Sequence, residues 1–306
     1  MNNFENTLEN YLSFCQNQKC LDEKTIKAYK IDLRQFQKAL NISALSMINP
    51  ALLENYICTL HQSYKPKTAK RKIASIKAFF HYLEYKNYIS LNPFSKIQVK
   101  FREPAILPKT IPLNTIELFL STMYTKMSYA PNDYQRRNTL RDIAVIELLF
   151  ATGMRISEIC SLSPSNINLD NRTILIYGKG AKERILQIGN DAVYQILCKY
   201  SHEYQDEIKK TGIFFINHHG NPLSDQSVRR MIRKYTDIAS ITLHITPHMF
   251  RHTFATALLD ADVDIRYIQE MLGHSSINIT EIYTHVTTAK QMSILSTKHP
   301  RKDLNI

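Results

Sequence analysis

Four of the chain's eleven prolines fall between Asn92 and Pro112, at Pro93, Pro104, Pro108 and Pro112. Proline removes a backbone donor and favours extended geometry, so no helix or sheet core runs through this stretch. It divides 306 residues into a shorter N-terminal part and a longer C-terminal one. We read residues 1–100 as one domain, 101–112 as a linker and 113–306 as a second domain.

Charge follows the same division. The chain carries a net charge of +12, and residues 1–110 hold 17 basic against 8 acidic side chains, three quarters of the whole excess. Such an imbalance draws a protein to polyanions, nucleic acid foremost. Membrane insertion is not expected. The longest apolar stretch, Ile143 to Ala151, has nine residues and contains Glu147, whereas a span needs about 20. The N-terminus is polar and has no signal-peptide pattern. Cys15, Cys20, Cys58, Cys160 and Cys198 are scattered without a C-x-x-C pair, which predicts neither a disulfide framework nor a zinc site and fits a cytoplasmic protein.

The N-terminal part reads as a helical bundle. Phe4, Leu8, Tyr11 and Leu12 keep helical spacing, as do Ile26, Tyr29, Leu33, Phe36 and Leu40. Third and fourth faces run through Leu52, Leu53, Tyr56, Ile57 and Leu60, and through Ile73, Ile76, Phe80 and Leu83. The last is preceded and overlapped by Lys65, Lys67, Lys70, Arg71, Lys72 and Lys77, and no acidic residue occurs from Lys65 to Tyr82. A basic run is commonly only a solvated face. The missing acids favour a phosphate-binding face, since neutralising phosphates releases counterions.

The second part is mainly helical with one small sheet. Thr173–Tyr177 and Arg184–Ile188 bracket a glycine-bearing turn and predict a β-hairpin. A long helical pattern from Arg141 to Cys160 breaks at Gly153, and further helices are expected at Asp191, Ser224, Pro247, Asp264 and after Ser276. The segment Ser121–Thr139, with Arg136 and Arg137, reads as a long connection, either a loop over a bound polyanion or simply solvated.

Three fragments of the second part carry candidate chemistry. In His248-Met-Phe-Arg251 the outer residues share a helix face behind Pro247; arginine offers a planar fork for two phosphate oxygens, and histidine moves protons. In Gly153-Met-Arg155-Ile-Ser-Glu158 the arginine stands near a helix start, with Glu158 placed to orient it. Leu272-Gly-His274 is followed by Tyr283, a weak nucleophile unless a base or a positive field activates it. Each alone fits a surface pair or a packing residue.

Together they occur in one order: Arg155, Lys179 at the hairpin turn, His248, Arg251, His274 and Tyr283. The runs Ala151-Thr-Gly-Met-Arg-Ile-Ser-Glu158, Gly178-Lys-Gly-Ala-Lys-Glu-Arg184, Pro247-His-Met-Phe-Arg-His-Thr-Phe-Ala-Thr256 and Met271-Leu-Gly-His-Ser-Ser276 with Ile282-Tyr-Thr-His285 closely resemble the tyrosine recombinases, the phage-integrase family, in its Xer-like form. The resemblance covers nearly the whole chain. It implies an N-terminal four-helix, SAM-like DNA-binding bundle and a C-terminal catalytic domain. It also implies that Tyr283 attacks a DNA phosphodiester to give a 3′-phosphotyrosyl link, as in type IB topoisomerases. Arg155 and Arg251 would clamp the non-bridging oxygens, Lys179 would protonate the leaving 5′-oxygen, and His248 would take the tyrosine's proton. His274 would hydrogen-bond the phosphate, with Glu158 in support.

Lys182 is the runner-up for Lys179, and Tyr267 for Tyr283, although Tyr267 stands beside Ile265 and Ile268 and reads as packing. Energy is kept in the covalent link, so no cofactor is expected, and no acidic cluster suggests a metal. The resemblance further implies double-stranded DNA with short inverted-repeat sites and a tetramer on two duplexes, of one chain or with a related subunit. It places the protein in the bacterial cytoplasm, at the nucleoid. Its tasks would be mobile-element movement, inversion or dimer resolution. The tail, with Ala289, Met292 and Leu295 at helical spacing, would dock on a neighbouring subunit or pack on its own domain. A catalytically silent DNA-binding regulator on the same fold is the rival reading. One departure from the family pattern is the turn Leu259–Asp264, which lacks glycine and relies on aspartate for left-handed backbone.

Overall fold

The computed structural model describes residues 3–99, 101, 108–178 and 183–273. Lys179, Lys182, His274, Tyr283 and the tail lie outside the described residues. The chain divides into two compact units, Met1–Ala105 and Ile106–Ile306.

Unit one holds α1 (Phe4–Asn17), α2 (Glu23–Ala39), α3 (Pro50–Ser63) and α4 (Pro66–Tyr85). Asn3, Asp22 and Asn49 cap the first three by accepting from backbone N–H groups that would otherwise lack partners. Pro50 and Pro66 open α3 and α4, where a missing donor costs nothing. The apolar faces close on an aromatic centre in which Phe4, Phe36, Phe79 and Phe80 are fully buried. Phe4 and Phe79 meet edge-on with centroids 5.5 Å apart, an arrangement that adds to the roughly 1.5–3 kcal/mol gained by burying each ring.

Unit two follows the order α5 (Leu113–Ser128), α6 (Asp133–Thr152), α7 (Ile156–Cys160), β1 (Ile167–Asn168), β2 (Thr173–Tyr177), β3 (Glu183–Gln187), α8 (Asp191–Glu203), α9 (Gln205–Thr211), α10 (Asp225–Ile238), α11 (Pro247–Asp260) and α12 (Ile265–Leu272). The strands form an antiparallel sheet in the order β1-β2-β3, with Ile174 opposite Leu186 and Ile176 opposite Arg184. The segment Ser121–Thr139 is not the long connection expected. It comprises the end of α5, a short turn and the start of α6, whose Arg136 and Arg137 are tied to Glu203 and Glu207 across from α8 and α9.

The centre of unit two is α6, buried all round from Thr139 to Leu149. Its two buried carboxylates have partners: Asp142 accepts from Arg141 at 2.6 Å and from the Tyr235 hydroxyl at 3.0 Å, and Glu147 accepts from the Tyr124 hydroxyl at 2.8 Å. Helix α11 packs beside α6 through Phe250, which meets Phe119 and Phe150 edge-on. The glycine-free turn after α11 does use aspartate for its left-handed residue, Asp262 at φ +63°.

Helix α6 stops at Gly153, in left-handed backbone at φ +60°. A Cβ there would meet Phe254 Cδ1 at 2.6 Å and Leu272 Cδ2 at 3.0 Å. Gly153→Ala should therefore destabilise the protein by about 2 kcal/mol through combined strain and overpacking. A urea midpoint equal to that of the wild type would disprove this close packing.

Candidate active site

The break at Gly153 turns the chain so that Arg155 becomes the residue before α7, in extended backbone (φ −73°, ψ 145°). Glu158, at the third position of α7, reaches back and accepts from the Arg155 backbone N–H at 2.7 Å. Its other carboxylate oxygen accepts from Arg155 Nη1 at 2.8 Å. Glu158 is buried, so this is not the ordinary surface pair that spacing alone would suggest.

A second arginine shares that carboxylate. Arg184, on β3, donates Nη1 and Nη2 to the two Glu158 oxygens at 3.0 and 2.7 Å, and Nε to the Met271 carbonyl at 2.9 Å. Burial alone would raise the Glu158 carboxyl, but hydrogen bonds from Arg184 and Arg155 outweigh it and hold the group below its ordinary 4.5.

From the other side comes α11. Arg251 is buried and donates Nη1 to the Gly153 carbonyl at 2.7 Å and Nη2 to the Leu272 carbonyl at 2.6 Å. Arg155 Nη2 lies 3.5 Å from the Gly273 carbonyl. Three successive carbonyls at the end of α12 thus face three different guanidinium groups. Helix termini leave such carbonyls without intrahelical partners, and the macrodipole makes this end negative. Gly273, at φ +65°, ends α12, and the chain passes directly to His274.

His248 stands one turn before Arg251 on α11. Desolvation lowers its pKa from 6.5, and the positive fields of Arg229, Arg251 and Arg155 lower it further, so the ring is neutral at pH 7. The structure therefore brings together Arg155, Glu158, His248 and Arg251.

Spacing and composition missed two features. Arg184 was given no role beyond ending a motif and opening a predicted strand, although strand alternation places it on the same, inward face as buried Leu186. An open cleft of about 600 Å³ along α10 is lined by Arg229, Arg230, Arg233 and His244, a basic surface that the near-neutral charge of this unit concealed. Tyr267 needs correction too: it is 65% exposed, because α12 buries Ile268 and Leu272 instead, so packing does not account for it.

In unit one the basic run splits. Lys65, Lys67, Lys70 and Arg71 are exposed and Lys77 is half-buried, but Lys72 does not belong to a solvated face. Its side chain is 4% exposed, with the ammonium on Gln35, 3.3 Å from Asp32 Oδ1 and 4.9 Å from the centre of the Tyr64 ring. Asp32 also accepts from Arg71 and from the Ser75 hydroxyl. Among the described residues no helix is long and apolar enough to cross a membrane, and no group of three or more His, Cys, Asp or Glu could hold a metal ion.

Comparison with known proteins agrees with this architecture. Residues 120–290 match the phage integrase family, and residues 8–87 match the phage integrase N-terminal SAM-like domain. A tyrosine recombinase of Agathobacter rectalis is 63% identical over 305 residues, covering 100% of both chains. Tyrosine recombinase XerD of Staphylococcus saprophyticus is 35% identical, covering 96% of this chain and 98% of its own. Among solved structures, the XerH site-specific recombinase bound to palindromic difH substrate is similar in fold, with a TM-score of 0.75 at 23% identity over 95% of this chain and 83% of that one. A lambda integrase tetramer bound to a Holliday junction is similar with a TM-score of 0.70 at 15% identity, over 92% and 77%. The chain belongs to the phage integrase family of tyrosine recombinases.

Because the folded pKa of Glu158 lies below its unfolded value, its contribution to stability is present above about pH 4.5 and is lost as pH falls through the folded value. Glu158→Gln should cost about 3 kcal/mol at pH 7, the consequence of leaving a buried guanidinium without its counter-charge. Urea unfolding should show the gap between the two proteins closing as pH drops below 4.5. A gap independent of pH would remove the ion pair from the explanation.

Proposed function

We propose that this chain is a site-specific DNA recombinase in which Tyr283 is the nucleophile. Its oxygen bonds to the scissile phosphorus while the bond from phosphorus to the 5′-oxygen breaks. A 3′-phosphotyrosyl link remains, and the 5′-oxygen leaves as a hydroxyl protonated by Lys179. His248 takes the tyrosine's proton, Arg155 and Arg251 neutralise the non-bridging oxygens as negative charge builds, and His274 adds a hydrogen bond. Rejoining is the reverse attack by a 5′-hydroxyl from another strand.

The observation that carries this reading is the convergence of Arg155 and Arg251 on one helix end, directly before His274, with His248 one turn before Arg251 on the same helix. A neutral imidazole accepts a proton, and two fixed guanidinium groups supply the charge of an oxyanion site without reorganising. A regulator that had lost catalysis has no need of such a set.

In this proposal residues 1–100 grip duplex DNA through Lys65, Lys67, Lys70, Arg71 and Lys77. Residues 101–112 link, and residues 113–306 carry out the chemistry and add the basic cleft along α10 to the DNA surface. The partners are inverted-repeat core sites and further copies of this chain or a related subunit, in a tetramer on two duplexes at the bacterial nucleoid.

The test traps covalent adducts. Purified protein is incubated with nicked, fragmented genomic DNA of the source, and SDS-resistant complexes are recovered and sequenced, with Tyr283→Phe and Tyr267→Phe in parallel. Adducts should concentrate at a short inverted repeat, vanish in Tyr283→Phe and persist in Tyr267→Phe. The reverse pattern would move the nucleophile to Tyr267, and no adduct despite DNA binding would favour the silent regulator. Adduct formation should stay rapid down through pH 6.5 and fail only below it, because protonation disables a His248 whose pKa is depressed. An acid limb above pH 6.5 would contradict that role.

A further inference from the structure

We infer that Arg184 is a positioning residue for this reaction: it fixes the Arg155 guanidinium through Glu158 and locks β3 to the end of α12. The inference rests on the proposed function for its catalytic consequence, but its geometry stands separately. Among the described residues, Arg155 and Arg184 both reach the Glu158 carboxylate and the α12 terminus; Arg184 does so with three side-chain hydrogen bonds, and both its side chain and that of Glu158 are only 8% exposed.

Three facts make this more than a buried ion pair. Each Glu158 oxygen accepts from both arginines, Oε1 from the two Nη1 atoms and Oε2 from the Arg155 backbone N–H and Arg184 Nη2, so the angle at which Glu158 presents Oε1 to Arg155 is set by the fork of Arg184. Arg184 stands opposite Ile176 on the inward face of the hairpin, five residues after Lys179 in the chain. Gly273 is moulded to it: a Cβ on Gly273 would come within 3.0–3.2 Å of the Arg184 guanidinium and its Cδ. The residue after Gly273 is His274. One planar group therefore joins the strand that follows Lys179, the carboxylate behind Arg155 and the helix end before His274. Lysine cannot replace it, because one ammonium cannot satisfy two carboxylate oxygens and a carbonyl in three fixed directions.

The test uses the full-length chain and the same nicked genomic DNA pool, following the rate of adduct formation in R184Q, R184K, R155K and R155K/R184Q. R184Q should slow adduct formation about 100-fold, the loss that small misplacement of a reacting group produces, while DNA retention changes less than about threefold. In the R155K background R184Q should add no more than about threefold, because an effect routed through Arg155 has already been lost. Adduct formation at the wild-type rate in R184Q, or losses that multiply, overturns the inference. Should a melting curve show R184Q unfolded, R184K and R155K/R184K decide in the same way. A second measurement is independent of catalysis: in nitrogen-15 spectra of the DNA-free protein, R184K should shift the Arg155 backbone amide that donates to Glu158. An unmoved amide overturns the positioning role even if no variant forms adducts. An amide that moves in R184K, with no adducts formed even by the wild-type protein, would leave the positioning intact and sink the recombinase reading instead.

Discussion

The end of α12 is where this catalytic unit is held together. Met271, Leu272 and Gly273 offer three carbonyls that their own helix cannot satisfy, and Arg184, Arg251 and Arg155 come to them from a strand, a helix and a helix start. Gathering three like charges is unfavourable unless something negative is already present. Glu158 supplies one full charge, and the helix terminus supplies roughly half of another. About one and a half positive charges remain uncompensated. That excess is available to a phosphate, and the arginines need not move far to use it.

The same chain uses buried charge differently elsewhere. Asp142 is held by Arg141, Lys234 and Tyr235, and Asp32 by Lys72, Arg71 and Ser75. In each, an inner cation pins the carboxylate and an outer one reaches solvent. Breaking such a network strands a charge in the interior, whereas forming it returns little net stability. Their use here is register. Asp32 fixes α2 against α4, and so sets where the exposed Arg71 and its neighbours project.

Much of the fold was legible because helical spacing and caps are local. The four helices of unit one, the break at Gly153, the hairpin and the placement of Arg155 beside a helix start all follow from short windows. Lys72 was placed with its basic neighbours on the phosphate-binding face, although its position argues against that. Ala69, Lys72, Ile73 and Ile76 share one helical stripe, and a lysine on an apolar stripe calls for a buried partner. That partner, Asp32, stands forty residues away, so the pair was invisible to local reading. Arg184 was hidden for a related reason. In Arg184-Ile-Leu the apolar Ile185 competes for the inward face, yet it is 64% exposed, because register with β2 sends Leu186 and Arg184 inside. The start of α6 was obscured by Asp133–Asn138, whose polarity suggests a loop until Glu203 and Glu207 supply partners for its arginines.

Two glycines complete the argument about how the site is fixed. Gly153 ends α6 at φ +60° and gives its carbonyl to Arg251; Gly273 ends α12 at φ +65° and faces Arg155 with its own. In both places the left-handed turn that ends a helix also aims a carbonyl at an arginine from a different segment. Each guanidinium is therefore held by main chain, which no side-chain rotation can withdraw. Arg251 joins the end of α6 to the end of α12, and Arg155 with Arg184 joins α7 to β3 and again to α12. Each of the long-range bonds needs two segments docked, and the cluster is complete only when all of them are. The order needed for catalysis thus depends on the packing of all these segments, and a unit with one of them displaced presents no assembled cluster of arginines.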